Sequence, residues 1–416
     1  MTAKNSRTGI LSLADAKKDE IASLASKLVQ IPSVNPPADM TEIAGFITDF
    51  LSDIGVRFVK YESEKGRISI IATLNGSSDK NILCFNGHMD VVPAGDENKW
   101  KYPPFSGKIV DGFLYGRGSS DMKGSVAAQL ITLKILTERE LDLSGTLALN
   151  LVPDEETGSR FGTKWLFEHK KIQCDACIIG EPSGLKAVNI GSKGKFWLYL
   201  KVLGEPAHGS MYPYLGDNAI LRACKIIQDI LSLRNKVVTF PEELTDIVED
   251  SKKLAEEDFR VKGIGEIIER PTVNIGVIKG GRKINIVADT CDVEIDIRIP
   301  IGLTTDDVEK YIASVLKTHG NNVRLDIKKS NPTYTSPRTK IAKLVKRNSE
   351  EVLGEKTFYY LDFASSDAKY YREHGIPTVL YGPHGIKIHS YNERVNITEL
   401  LLLTKVYLAT AIDYLS

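Results

Sequence analysis

Hydrophobic positions along the chain change their period twice. In residues 39–55 the residues Ile43, Phe46, Ile47, Phe50, Leu51 and Ile54 fall on one helical stripe, Asp39 with Glu42 reads as a capping box, and Gly55 stands where a helix would stop. Ile21, Leu24 and Leu28 mark an earlier helix that the IPSVNPP segment (31–37) ends. The apolar runs then become short and β-branched: ISIIATL (68–74), NILCFNGHMDVV (81–92), TLALNLV (146–152) and ACIIG (176–180). Such runs suit strands covered on both faces. Helical segments separate several of them, notably 122–137, so the pattern predicts an α/β layer around a mostly parallel sheet, with its chemistry at the carboxyl ends of strands.

From about residue 192 the texture becomes one of alternating strands, KFWLYLKV, VNIGVIKG and CDVEIDIRI, broken by helices at roughly 217–233 and 304–318. This predicts a separate α+β module. After SNPTYTSP (330–337) strand and helix return, with TVLYG (378–382) and a last helix that begins at Asn396 with Glu399 as its capping partner. A length of 416 residues exceeds what one core organises. The expected division is a catalytic domain over 1–191, an inserted domain over 192–331 and the rest of the catalytic domain over 332–416. The charged stretch 234–270 reads as a solvated face.

Composition narrows the classes. Lysine plus arginine and aspartate plus glutamate both number 54, so no overall basic field draws the chain to nucleic acid or anionic lipid. The start, MTAKNSRTGI, is polar, and no run of about 20 apolar residues occurs, so a cytoplasmic protein is expected. Five cysteines, odd in number, argue against a disulfide-stapled fold. Cys174 and Cys177 form a C-x-x-C without the second pair that a structural zinc site needs, and read as incidental thiols.

Chemistry-bearing side chains gather in five segments: GHMDVVP (87–93), GRGSSDMKG (116–124), PDEETGS (153–159), GEPSG (180–184) and KIHSYNE (387–393). Singly, each acid or histidine suits a turn or a cap. Jointly, two imidazoles and several carboxylates are the ligands that divalent zinc takes where no thiolate is offered. Five ligands serve two ions if one carboxylate bridges, and two ions about 3.5–4 Å apart polarise a carbonyl and hold a hydroxide together.

In order and spacing these segments resemble the zinc deacylase and peptidase family that includes acetylornithine deacetylase, succinyl-diaminopimelate desuccinylase, aminoacylase and carboxypeptidase G. The resemblance implies that Asp121 bridges two zinc ions, for which cobalt substitutes, with His88 and Glu181 on one and Glu156 and His389 on the other. It makes Glu155 the general base and Asp90 the carboxylate that orients the His88 imidazole, and a strand places residues i and i+2 on one face for that contact. The family often has a cis peptide after the bridging acid, here Asp121-Met122.

The same resemblance matches His208 to a histidine that leans into the partner subunit's active site and donates to an oxyanion. It matches Asn285 and Arg298 to contacts with the substrate carboxylate, for which a guanidinium fork is suited, and Lys193 is a further candidate. His384, five residues before His389, is an alternative ligand, and Asp367 reads as a structural acid. The implied reaction is hydrolysis of an N-acyl amino acid in a homodimer that pairs and closes through the inserted domain. A carboxypeptidase or dipeptidase, and a non-catalytic metal- or ligand-binding homologue, are the alternatives.

Overall fold

The computed structural model describes residues 7–78, 81–139, 143–320 and 322–416. The first six residues of the polar amino-terminal segment lie outside them. The chain forms two compact units, one from Met1–Ile190, Thr335–Tyr359 and Ser366–Ser416, the other from Gly191–Tyr334 and Tyr360–Ser365. Residues 360–365, counted in sequence with the catalytic part, thus belong to the second unit. No helix among the described residues is long and apolar enough to cross a membrane.

The first unit is built on a sheet whose strands run in the order Arg57–Glu64, Arg67–Leu74, Thr146–Val152, Ile82–His88, Ala176–Ile179, Thr378–Leu380 and Ala187–Ser192. The three central pairings are parallel, and the outer ones, Arg57–Glu64 with Arg67–Leu74, Arg67–Leu74 with Thr146–Val152, and Leu380 with Asn189, are antiparallel. The central runs are mostly apolar because helices cover them; Leu83, Phe85, Leu149, Leu151 and Ile178 are all solvent-excluded. Helices Gly124–Glu138 and Ile397–Leu415 pack on each other and are buried nearly all round, which is why their apolar residues show little one-sided stripe.

Several local expectations change. Asp39 accepts from the main-chain N–H of Thr41 at 2.9 Å and from its hydroxyl, a turn one step ahead of the helix Thr41–Asp53, whose N-cap is Met40. Asn396 does cap Ile397–Leu415, through Thr398 N at 2.8 Å, but Glu399 turns away and accepts the main-chain N–H of His384 at 2.6 Å. Within 234–270 the helix Thr245–Phe259 buries Ile247, Val248, Ser251 and Ala255, so only its other face is solvated.

The second unit is an antiparallel sheet in the order Thr272–Gly280, Thr290–Ile299, Gly194–Leu203, Val323–Ser330. Alternate residues Phe196, Leu198, Leu200 and Val202 face inward with Val293, Ile295 and Ile297. Helices Ala219–Leu231 and Thr305–Thr318 cover that face with Ala223, Ile226, Ile230 and Ile312. Asn218 caps the first helix, and Thr304 with Asp307 makes a complete capping box on the second.

Candidate metal centre

Parallel strands deliver the first unit's acidic cluster. His88 is the last residue of Ile82–His88, Glu155 and Glu156 form the single turn that follows Thr146–Val152, and Glu181 lies two residues beyond Ala176–Ile179. These are neighbouring strands, so their carboxyl ends meet at one edge of the sheet. Asp121 sits in the irregular turn ahead of helix Gly124–Glu138, and the Asp121–Met122 peptide is cis. His389 arrives from the far end of the sequence. It adopts a left-handed φ of 58°, and the strand that follows it, Arg394–Asn396, pairs with Phe113–Tyr115 just before the Asp121 turn.

Asp121 stands between two imidazoles. Its Oδ1 is 3.0 Å from His88 Nε2, and its Oδ2 is 3.2 Å from His389 Nε2. His389 Nε2 is also 3.2 Å from Glu156 Oε1, and His88 Nε2 is 3.8 Å from Glu181 Oε1. Ligand atoms of His88, Asp121 and Glu156, and again of His88, Glu155 and Glu181, lie within 4.8 Å of one another, close enough to share a cation. Glu155 therefore stands among the ligand candidates as well as beside them.

Protonation in the cluster reflects crowded negative charge. Burial raises the carboxyls of Glu155 and Glu181 well above the ordinary range, and neighbouring carboxylates add to the rise. Glu156 is raised by burial against the opposing hydrogen bond from His389. Burial would raise Asp121 too, yet the hydrogen bonds from His389 and His88 hold it well below the usual carboxylate range. Burial disfavours a charged His88, but its hydrogen bonds to Asp121 and Asp90 outweigh that and carry it well up. His389 is raised to about 10 by its hydrogen bonds to Asp121 and Glu156. Nitrogen and oxygen donors without thiolate are a donor set zinc accepts.

Asp90 meets the His88 imidazole through both its main chain and its carboxylate. His88 Nδ1 donates to the main-chain carbonyl of Asp90 at 2.9 Å, with the carboxylate at 3.4 Å. A carbonyl only accepts, so Nδ1 carries the proton in the neutral ring and Nε2 turns its lone pair to the cluster. The Asp90 carboxylate also accepts the main-chain N–H groups of Glu155 at 3.1 Å and Glu156 at 3.2 Å, and the amide of Asn35 at 2.8 Å. Asn35, buried and also donating to Thr157, was missed in sequence because an asparagine before two prolines reads as a turn residue.

The remaining candidates are placed as follows. His384 is exposed, with its backbone held by Glu399. Asp367 is buried and accepts the hydroxyls of Ser159 and Thr163. In the second unit, His208 is exposed, its Nδ1 2.7 Å from the Ser210 hydroxyl, and it bridges to Ile286 beside Asn285. Arg298 Nε donates to both oxygens of Asp296, at 2.9 and 3.1 Å. Lys193 is buried with Nζ 2.7 Å from the carbonyls of Ile267 and Arg270; burial, with the charge of Arg298, lowers it to about 7, and a neutral amine still donates both bonds. Its nitrogen is thus committed to main-chain acceptors.

Comparison with known proteins adds an independent line. The model of peptidase family M20/M25/M40 matches residues 84–413. A succinyl-diaminopimelate desuccinylase of Rhodospirillum centenum is 29% identical over 397 residues, covering 94% of this chain and 95% of that protein. Another, from Hydrogenovibrio crunogenus, is 27% identical over 407 residues and covers 95% and 99%. Among solved structures, an M20 family metallo-carboxypeptidase of Sulfolobus solfataricus superposes with a TM-score of 0.81 at 21% identity, covering 95% of this chain and 99% of that one. Human carnosine dipeptidase 1 does so at 0.75 and 20%, covering 98% of each.

Proposed function

Because the chain belongs to peptidase family M20/M25/M40, we propose that it cleaves the amide bond of an N-acyl amino acid, of the succinyl-diaminopimelate kind, at a centre of two zinc ions that cobalt can replace. At the coarser level it is a metal-dependent hydrolase of amide or peptide bonds. The observation that carries the two-ion reading is Asp121, whose two oxygens approach two different imidazoles at 3.0 and 3.2 Å, as a bridging carboxylate does. On this reading His88 and Glu181 complete one site, and Glu156 and His389 the other. Two bound zinc ions supply polarisation of the scissile carbonyl and acidification of a water.

The chain's own residues do the rest. Glu155 takes the proton of the attacking water and returns it to the nitrogen of the leaving amine. Asp90 fixes the main chain under Glu155 and Glu156, so that one side chain ligates while its neighbour moves protons. His208, Asn285 and Arg298 are proposed as substrate-contacting groups of the second unit. Exposed Met211, Tyr214, Leu215 and Ile284 on that unit support a homodimer formed through it. The five thiols are all free, which suits a cytoplasmic setting.

A ninhydrin screen for released amine over succinyl-diaminopimelate, acetylornithine, acetyl-amino acids and dipeptides tests the substrate. Release from the acylated amino acids is the expected result, and release from dipeptides alone would make the protein a peptidase. Metal analysis after reconstitution should find two zinc per chain. Glu155→Ala should lower kcat by about 10²–10⁴-fold with that content unchanged, and wild-type turnover in this variant would remove Glu155 from the mechanism.

A further inference from the structure

We infer that Glu393 is the positioning residue of this centre, holding the main chain of Asp121 so that each carboxylate oxygen faces its own imidazole. The inference rests on the metal-centre reading above. Glu393 is wholly buried, and its Oε1 accepts two main-chain N–H groups, from Ser120 at 3.1 Å and Asp121 at 3.3 Å. Its Oε2 is paired with the guanidinium of Arg117, itself 2% exposed, which lies 5.4 Å from the Trp100 ring.

The turn that carries Asp121 needs such a partner. Asp121 (φ −125°, ψ 92°) and Met122 (φ −133°, ψ 30°) leave the helical region, so a regular i to i−4 ladder is broken where the shared carboxylate stands. Glu393 supplies the acceptor instead. It also lies four residues after His389, in the segment whose Arg394 carbonyl accepts the Ser120 hydroxyl at 2.8 Å and whose Glu393 carbonyl accepts Gly116 N at 3.0 Å. One buried side chain thereby couples the segment bearing one imidazole to the turn bearing the carboxylate between both.

A purely structural staple would not need to be charged. Burying an additional carboxylate near Asp121 is unfavourable, and a buried ion pair can often be replaced by apolar side chains with no loss of stability. What an apolar pair does not reproduce is the acceptor for the two N–H groups. Glu393 thus stands behind Asp121 without touching the reacting atoms, and its effect should appear in metal affinity.

The test uses Arg117→Met/Glu393→Met, which removes both buried charges together, and Glu393→Asp, which keeps the charge and withdraws the oxygens by one methylene. Zinc affinity is read on the metal-free full chain by competition with a chromophoric chelator, alongside the melting temperature with and without zinc. Each variant that folds should bind zinc about 10- to 100-fold more weakly than wild type, with a smaller zinc-induced rise in Tm. A folded variant that binds within about threefold of wild type overturns the assignment, because that is below the range for an orienting partner. Equal loss of Tm in both forms with unchanged affinity would show a staple only. Failure of the wild-type chain to bind zinc would instead sink the metal-centre reading itself.

Discussion

At the scale of single residues the centre is a contest between protons and cations for the same lone pairs. Asp121 is held ionised by two imidazoles, while His88 and His389 are held protonated by the acids around them, His389 up to about 10. Zinc ligation requires both rings to give up the proton that faces the cluster. The sign follows directly: the metal-free form carries more protons, so raising the pH favours the loaded form, and below 10 His389 always has one to lose. Zinc affinity should therefore rise between pH 5.5 and 8 by about tenfold per pH unit for each proton released. Calorimetry in buffers of different ionisation enthalpy counts those protons directly. An affinity flat across that interval would mean the imidazoles do not face the ion.

At the scale of elements, the site depends on how closely helix Gly124–Glu138 approaches the strand ends. A Cβ added at Gly180, the residue before Glu181, would lie 2.7 Å from Ser125 Cβ, 2.8 Å from Met122 Cε and 3.0 Å from Tyr407 Oη. Gly180→Ala should therefore destabilise by about 1–3 kcal/mol in urea unfolding. Gly45, inside helix Thr41–Asp53 with nothing within 4 Å of its added Cβ, is the control. Gly45→Ala should stabilise by up to about 1 kcal/mol on helix propensity alone. Equal effects at the two positions would show that crowding at Gly180 is relieved without strain.

Elements also separate what was legible in the sequence from what was not. Apolar strand runs announce themselves, so TLALNLV and the run before His88, buried on both faces, and ISIIATL, half-buried on one, stand close to where their composition puts them. Arg57–Glu64 was silent because, as an edge strand with exposed and half-buried residues, RFVKYESE lacks an apolar run. Helix Thr245–Phe259 hid its buried face behind Glu and Lys. The five motif segments meet in one unit, whereas Asp90 and Glu393 accept main-chain N–H groups, and Asn35 donates to side chains, far away in sequence, which no local pattern encodes.

At the scale of the whole molecule, the residues proposed for the chemistry fall in both units. His88, Asp121, Glu155, Glu156, Glu181 and His389 all belong to the first, and Lys193, His208, Asn285 and Arg298 to the second. A ligand that binds only the native form stabilises what it binds, by about 2.7 kcal/mol at a hundred times its Kd. Zinc should then deepen hydrogen-exchange protection in Ile82–His88 and Ala176–Ile179, whose ends carry ligand candidates, and leave Gly194–Leu203 and Thr290–Ile299 unchanged. Each unit has its own buried sheet core, so local opening of one need not open the other. Calorimetry should accordingly show a zinc-dependent transition beside one that zinc does not move. If protection rose equally in both sets of strands, the units would unfold as a single cooperative body, and the division of roles between them would lose its thermodynamic footing.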